Sequence, residues 1–417
     1  MGHDPNPITP TAELLIRWEV GNLEGGEFMQ RRLSLVMTLS LGLAALDGQA
    51  AGSSDELIYI GTYKFGPPSQ AAGPPQGIYG VRLNTKTGHL TALGPPVELK
   101  RASYLVTHPS LPIVYSVAQS TGENPESDSV VIAFAVDQAS GALRQINKVD
   151  VNGRDATHMA IDNASNTLFV ANHGTGSVTA VPFLADGSLA PVASEQKDYG
   201  SGPTPRQKSA AAHGVAVDPT HHYVTVADFG ADRIFVYKFD HIARALTPAS
   251  TPFAQLPPGS GPRRVLFHPN GKFLYLANEM TGEICWYQWD SHSGQLQLMN
   301  SLSPYAADYS GQKSAAEIAI SREGGYFYLS LRGDKEALIT YSIDKASGAL
   351  TEIQRISPPG RIPWSFGIDP TGRWMLVADQ GSNSVDVLAV DAKTGKLSAT
   401  GESVSVPNPV TVTFYRH

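Results

Sequence analysis

GPRRVLFHPNGKFLYLANEM, residues Gly261 to Met280, reads as one β-hairpin. Val265-Leu266-Phe267 is the first strand, His268-Pro269-Asn270-Gly271 the turn, and Phe273 to Ala277 the returning strand. Asn-Gly beside Pro is strong turn chemistry, and both flanks are rich in β-formers. A hairpin brings its ends together. Arg263 at the entrance and Glu279 at the exit are therefore expected to be neighbours.

The hairpin recurs along the chain. Equivalent turns sit at Pro109, Asn163, Pro219, Pro269, Arg322 and Pro370, with successive spacings of 54, 56, 50, 53 and 48 residues. A third strand and its closing turn recur as well, as in VVIAFAVDQASGAL from Val130, LITYSIDKASGAL from Leu338 and VDVLAVDAKTGKL from Val385. The shared ending is Asp, two variable residues, Ser or Thr, Gly, one residue and Leu; Gly suits a turn that needs a positive φ. A period near 50 residues with four strands describes a propeller blade. The expected fold is all-β, a seven-bladed β-propeller of four-stranded antiparallel blades. The first blade begins at Leu57 with LIYIGTY, already a second strand, and the chain ends on an orphan strand, Val410 to Phe414. Pairing of that strand inside blade 1 closes the ring and removes two exposed edges.

Composition narrows the function. Of 417 residues 17% are charged and 41% apolar, and 40 Gly and 30 Pro suit a fold of many turns. The net charge of −7 with no basic stripe argues against nucleic acid as a partner. Cys285 is the single cysteine, so no internal disulfide forms. Residues 1–50 read as an extension plus a leader. Met29-Gln30-Arg31-Arg32, the apolar run Leu33 to Leu46 and Gly48-Gln49-Ala50 have the order of a secretory signal peptide, with Met29 as the start and cleavage after Ala50. The apolar run is shorter than the ~20 residues of a spanning helix. Residues 51–417 form the propeller, expected in the periplasm or secreted with no membrane contact in the mature form, or in the cytoplasm without that leader.

In a propeller the first strand of each blade lines the central channel, and its start shares a mouth with the end of the second strand. Five residues before each turn opens stand Ser103, Thr157, His213, Arg263, Ala316 and Trp364. Eleven after it stand Gln119, His173, Phe229, Glu279, Arg332 and Gln380, with Tyr63 for the first blade. Repeats tend to fill such positions uniformly. Here adjoining blades carry His, Arg, Glu and Arg, which marks a candidate site or a polar, water-filled channel. Two links into first strands contain the same Gln-Lys-Ser-Ala-Ala, at Gln207 to Ala211 and Gln312 to Ala316. They offer Lys208 and Lys313 to an anionic ligand, or are a turn kept through blade duplication.

GTY at Gly61, the D-x-x-[ST]-G-x-L endings, GSGPRRVLFHPNGKFLYLANE, KSAAEIAIS at Lys313 and LSLRG at Leu329 resemble the seven-bladed lactonase family. That family includes bacterial 6-phosphogluconolactonase and fungal 3-carboxy-cis,cis-muconate lactonizing enzyme. The resemblance spans Leu57 to Phe414 and implies His213, Arg263, Glu279 and Arg332 as the catalytic quartet. Two departures stand out: one His in Ala211-Ala212-His213 where the family often has two, and Arg264 where it often has His.

Lactone hydrolysis needs an activated water, a stabilised carbonyl oxygen and a held substrate. Glu279 or His213 is the candidate base. Arg263 and Arg332 are candidates to hold the oxyanion. An arginine beside Glu279 is expected to keep it ionised. Arg264, Lys208 and Lys313 are candidates for a phosphate, and His173 and Gln380 for other substrate contacts. No metal-ligand cluster, Gly-x-Ser-x-Gly elbow or P-loop is found, and no cofactor is expected. His221-His222 reads as a solvated turn pair, His108, His158 and His268 as structural residues in or beside turns, and Cys285 as a core residue. The expected partner is a small lactone, phosphorylated or not. The alternatives are a carboxymuconate cycloisomerase and a non-catalytic binding propeller.

Overall fold

The structure is a computed structural model and describes residues 55–63, 74–120 and 127–415. The leader read over residues 29–50 lies outside the described residues. These residues form seven antiparallel sheets, six of four strands and one of five. In the fifth, Pro262–Phe267, Phe273–Asn278, Ile284–Asp290 and Gln295–Leu302 pair in sequence order. Val265 lies opposite Leu276 and Leu266 opposite Tyr275, so the hairpin is where the sequence placed it.

The orphan C-terminal strand, Pro409–Phe414, pairs with Asp55–Thr62, Ile58 opposite Phe414 and Ile60 opposite Val412. The ring closes as expected. This blade has an extra piece. Its outer edge is split into Leu90–Ala92 and Val97–Glu98, both paired to Gly77–Asn84. Gly94-Pro95-Pro96 lies at the break, where proline has no N–H for the ladder.

Burial follows strand position. The second strands Thr167–Asn172, Tyr223–Asp228 and Phe273–Asn278 are buried at every residue, because both faces pack against neighbouring blades. The outermost strand Gln295–Leu302 is mostly exposed. The core is a set of clusters between blades: Tyr275 and Trp286 of the fifth pack with Phe327, Leu329, Ile339 and Tyr341 of the sixth. The turn glycines complete this packing. Gly348 takes a φ of 71° and its carbonyl accepts from the Tyr275 hydroxyl of the preceding blade at 2.8 Å. A Cβ there would lie 2.9 Å from the Phe273 ring. The repeated glycine thus both makes the turn and lets the neighbouring blade close on it.

His108 and His268 serve turns as read, each accepting backbone N–H groups at Nδ1. His158 does not. It lies within the innermost strand Ala156–Asp162, facing Tyr104 at a ring separation of 4.1 Å. The His221-His222 pair is solvated only in part: His221 Nδ1 is 2.6 Å from the buried carboxylate of Asp162 in the blade before. Cys285 is buried, and burial pushes its thiol up to about 12.

Candidate active site

The site is built by a repeated irregularity. Six of the seven innermost strands, all but that of blade 2, carry one or two unpaired residues at their entry. Ala212 pairs with Asp228 and Gly214 with Ala227, leaving His213 as a bulge. Arg263 is bulged between Pro262 and Arg264, and Trp364 between Pro363 and Ser365. Thr157 and Val410 sit in the same irregularity, and the sixth blade bulges Ala316 and Glu317 together. A β-bulge re-aims side chains and breaks the alternation of faces. Consecutive residues can then serve one channel, and both Arg263 and Arg264 line the same cavity.

That cavity is about 160 Å³ and is lined by residues including His173, Arg206, His213, Arg263, Arg264, Glu279, Arg332 and Trp364. It is smaller than the roughly 300–1,000 Å³ of pockets for drug-sized ligands, which suits one small ring. Glu279 is its hub. Arg206 Nη2 donates to Oε1 at 2.7 Å; Arg263 Nη1 donates to Oε2 at 2.9 Å, and Arg332 Nη2 lies 3.1 Å from the same oxygen. Burial alone would raise the Glu279 pKa, but Arg332, Arg263 and Arg206 together bring it down to about 2. Trp364 backs the two inner arginines, its ring centroid 3.9 Å from Arg332 Cζ and 5.5 Å from Arg263 Cζ. Arg263 is fixed further by its Nε, which donates to the Ala316 carbonyl at 3.0 Å.

His213 completes the quartet. Arg263 Nη1 lies 2.5 Å from His213 Nε2. A guanidinium has only donors, so Nε2 accepts and the proton of the neutral ring sits on Nδ1. Burial first, then Arg263 and Arg264, hold the His213 pKa well below 6.5. Three buried nitrogens around the cavity have no hydrogen-bond partner among the described residues: His213 Nδ1, Arg264 Nη1 and Arg332 Nε. Buried donors left so call for ligand oxygens or water.

A second tier lies deeper in the channel. Arg264 Nε donates to Glu317 at 3.0 and 3.2 Å, and the Ser365 hydroxyl donates to Glu317 at 3.2 Å. Arg264 also stacks on Tyr104, 5.3 Å from its centroid. Tyr104, Arg264 and Glu317, with His158, line a further cavity of about 290 Å³. At this level Gly214 leaves the space that a side chain would take: a Cβ there would fall 2.4 Å from the Arg263 carbonyl oxygen.

The family model for lactonase, 7-bladed beta-propeller, matches residues 57–414. The chain belongs to the seven-bladed β-propeller lactonase family. It is 29% identical to a Bacillus subtilis 6-phosphogluconolactonase over 85% of this chain and 97% of that one. It is 31% identical to the Formosa agariphila 6-phosphogluconolactonase over 78% and 91%. Among solved structures, the periplasmic gluconolactonase of Pseudomonas aeruginosa is 30% identical, with a TM-score of 0.77 over 87% of this chain and 99% of that one.

In this lactonase-family site the quartet His213, Arg263, Glu279 and Arg332 converges, with His173 and Arg264 beside it. Lys208, Lys313 and Gln380 do not line the cavity. The Gln-Lys-Ser-Ala-Ala links explain the first two. Gln207 is buried and bonded to the Phe229 carbonyl and Asp232, so the next residue, Lys208, is turned out to solvent. Lys313 lies over the Tyr305 ring instead, 5.8 Å from its centroid. Gln380 bonds the Tyr63 carbonyl at 3.3 Å and ties blade 7 to blade 1. Three charged residues of the cavity were missed. Arg206 stacks on Phe229 at 4.6 Å, one residue before the repeated pentapeptide. Arg101 and Asp155 form an ion pair across the mouth; both have left-handed backbones, with φ of 60° and 58°. Positive φ on charged residues leading into first strands is a signal that spacing alone does not show.

Proposed function

We propose that the protein hydrolyses a sugar lactone at this cavity. The observation that carries the reading is the set of unpaired buried donors, on His213, Arg264 and Arg332, around one ring-sized space next to an ionised carboxylate. Water adds to the carbonyl carbon, the ring C–O bond breaks, and a hydroxy acid leaves. Arg263 and Arg332 hold the developing oxyanion, with charge-assisted hydrogen bonds that strengthen as charge grows. Relatives named 6-phosphogluconolactonase and gluconolactonase support the same chemistry.

The lining favours an anionic substrate: Arg101, Arg206, Arg263, Arg264 and Arg332 stand against Asp155 and Glu279. Arg264 is the residue we assign to a phosphate. The test follows acid release from glucono-1,5-lactone and its 6-phosphate at controlled pH, with the spontaneous rate subtracted. Wild type is expected to exceed the blank, with the higher kcat/KM on the phosphorylated lactone. Arg263→Ala is expected to remove at least about 100-fold of the excess. Equality with the blank on both lactones would refute the reading and favour a binding propeller.

We further propose that residues 29–50 are removed on export and that residues 51–417 act in the periplasm, as the name of the Pseudomonas relative says of that protein. Among the described residues no helix is long and apolar enough to cross a membrane. Mass spectrometry of protein from the periplasmic fraction is expected to find a chain starting at Ala51. An intact residue 29–50 segment on exported protein would contradict this.

A further inference from the structure

We propose that His173, oriented by Asp155, is the general base that takes the proton of the attacking water. This rests on the hydrolase reading above. The two obvious candidates are already engaged. Both oxygens of Glu279 are held by guanidiniums, and His213 Nε2 accepts from Arg263. A base must have a free lone pair within reach of the water.

His173 has one. Its side chain is 30% exposed in the cavity lining, against 9% for Glu279. Nδ1 lies 3.7 Å from Asp155 Oδ2, and its backbone N–H donates to the Asp155 carbonyl at 3.1 Å. Asp155 is in turn paired with Arg101. No hydrogen bond to His173 Nε2 is formed among the described residues. The order Arg101, Asp155, His173 is that of a base oriented by a third group, with the looser spacing expected before substrate binds. The ring is flanked by His213 at 5.5 Å and Phe229 at 5.8 Å between centroids.

The step balances. Nε2 accepts a proton as the water oxygen bonds to the carbonyl carbon, and the carbonyl π pair moves onto the oxygen held by Arg263 and Arg332. The tetrahedral centre then collapses, the ring C–O bond breaks, and the leaving oxygen takes the proton from Nε2–H. Imidazole is regenerated.

Several charges face this ring. Asp155 approaches from the link into blade 3, Asp228 from blade 4, Arg206 from the link before it, and Arg263 and Glu279 from blade 5. Burial lowers the His173 pKa below 6.5; Glu279 and Asp228 oppose it, and Arg206 and Arg263 reinforce it. The ring is therefore neutral, and able to accept a proton, at neutral pH.

The test is a pH profile of kcat on glucono-1,5-lactone and its 6-phosphate for wild type, His173→Gln and Asp155→Asn. Wild type is expected to show an acidic limb with its midpoint below 6.5. Glu279, at about 2, lies too low to supply it. His173→Gln is expected to lower kcat by about 100- to 10,000-fold, change KM only a few-fold and abolish the limb. Asp155→Asn is expected to lower kcat less and move the limb to lower pH, since the imidazolium loses its anion. A His173→Gln enzyme that keeps wild-type kcat, or keeps the limb, would overturn the assignment and leave the lactonase reading intact. So would a wild-type profile without the limb, whatever the folding of the variant. A wild type that releases no acid above the blank would overturn both.

Discussion

Glu279→Gln is expected to lower lactone hydrolysis by about 100- to 1,000-fold and to destabilise the fold at neutral pH by about 3–5 kcal/mol. The carboxylate is the shared counter-ion of Arg206, Arg263 and Arg332. Two of these are buried, and an amide can neither neutralise them nor accept as strongly. Breaking a buried ion pair by removing one partner leaves uncompensated charge in a low-dielectric site. The inner arginines then lose the geometry by which, in the proposed reaction, they would hold the oxyanion. The pH dependence separates this from a generic packing loss. The folded-state pKa of about 2 lies below the ordinary 4.5, so the wild-type stabilisation is complete above 4.5 and is lost as pH falls toward 2. The shift corresponds to about 3 kcal/mol. Urea unfolding of both proteins from pH 7 downward checks it: the gap should stay constant to about pH 5 and narrow below. A gap that holds its full size to the lowest pH at which wild type folds would contradict the ion-pair account.

The same geometry explains which parts of the site the sequence revealed. Counting five residues back and eleven forward from each turn found His213, Arg263, Glu279 and Arg332 because the bulge falls at the same point in successive blades. Equal counting survives an irregularity that successive repeats share. Strict alternation does not. It puts Glu317, Ser365 and Tyr104 on the face away from the channel, yet Glu317 meets Arg264 there, Ser365 bonds Glu317 and Tyr104 stacks on Arg264. His158 was misread for the same reason: as the residue after a bulge it belongs to this second tier, not to a turn. Arg206 has no equivalent position to count to, since it sits on a link with no counterpart in most blades. Lys208 and Lys313 shared a pentapeptide but not an environment, because each link is pinned by different partners.

Removal of residues 409–417 is expected to abolish the folded propeller altogether. The strand Pro409–Phe414 carries the β-ladder that joins the end of the ring to its beginning in the first sheet, through Ile58–Phe414, Ile60–Val412 and their neighbours. It buries Val410, Val412, Phe414 and Tyr415. At about 1.5–3 kcal/mol for each large apolar side chain, their loss is of the same order as the roughly 5–15 kcal/mol that holds a whole domain folded. Polar ties are lost as well: the Tyr415 N–H donates to the Leu57 carbonyl at 2.8 Å, and the Thr413 hydroxyl donates to the Leu105 carbonyl of blade 2 at 3.0 Å. The truncated chain also leaves Asp55–Thr62, an apolar strand, with an open edge, which is a template for aggregation. A circular permutant makes the argument specific. Because Tyr415 and Leu57 are hydrogen-bonded neighbours, residues 409–415 can be linked ahead of residue 55 and a new end opened after Ser405. That protein holds the same strand by a covalent link and is expected to keep the cooperative melt that the truncated chain loses, read by circular dichroism and size exclusion. A truncated chain that stays monomeric with a wild-type melt would show that closure of the ring rests on blade-to-blade packing and not on this strand.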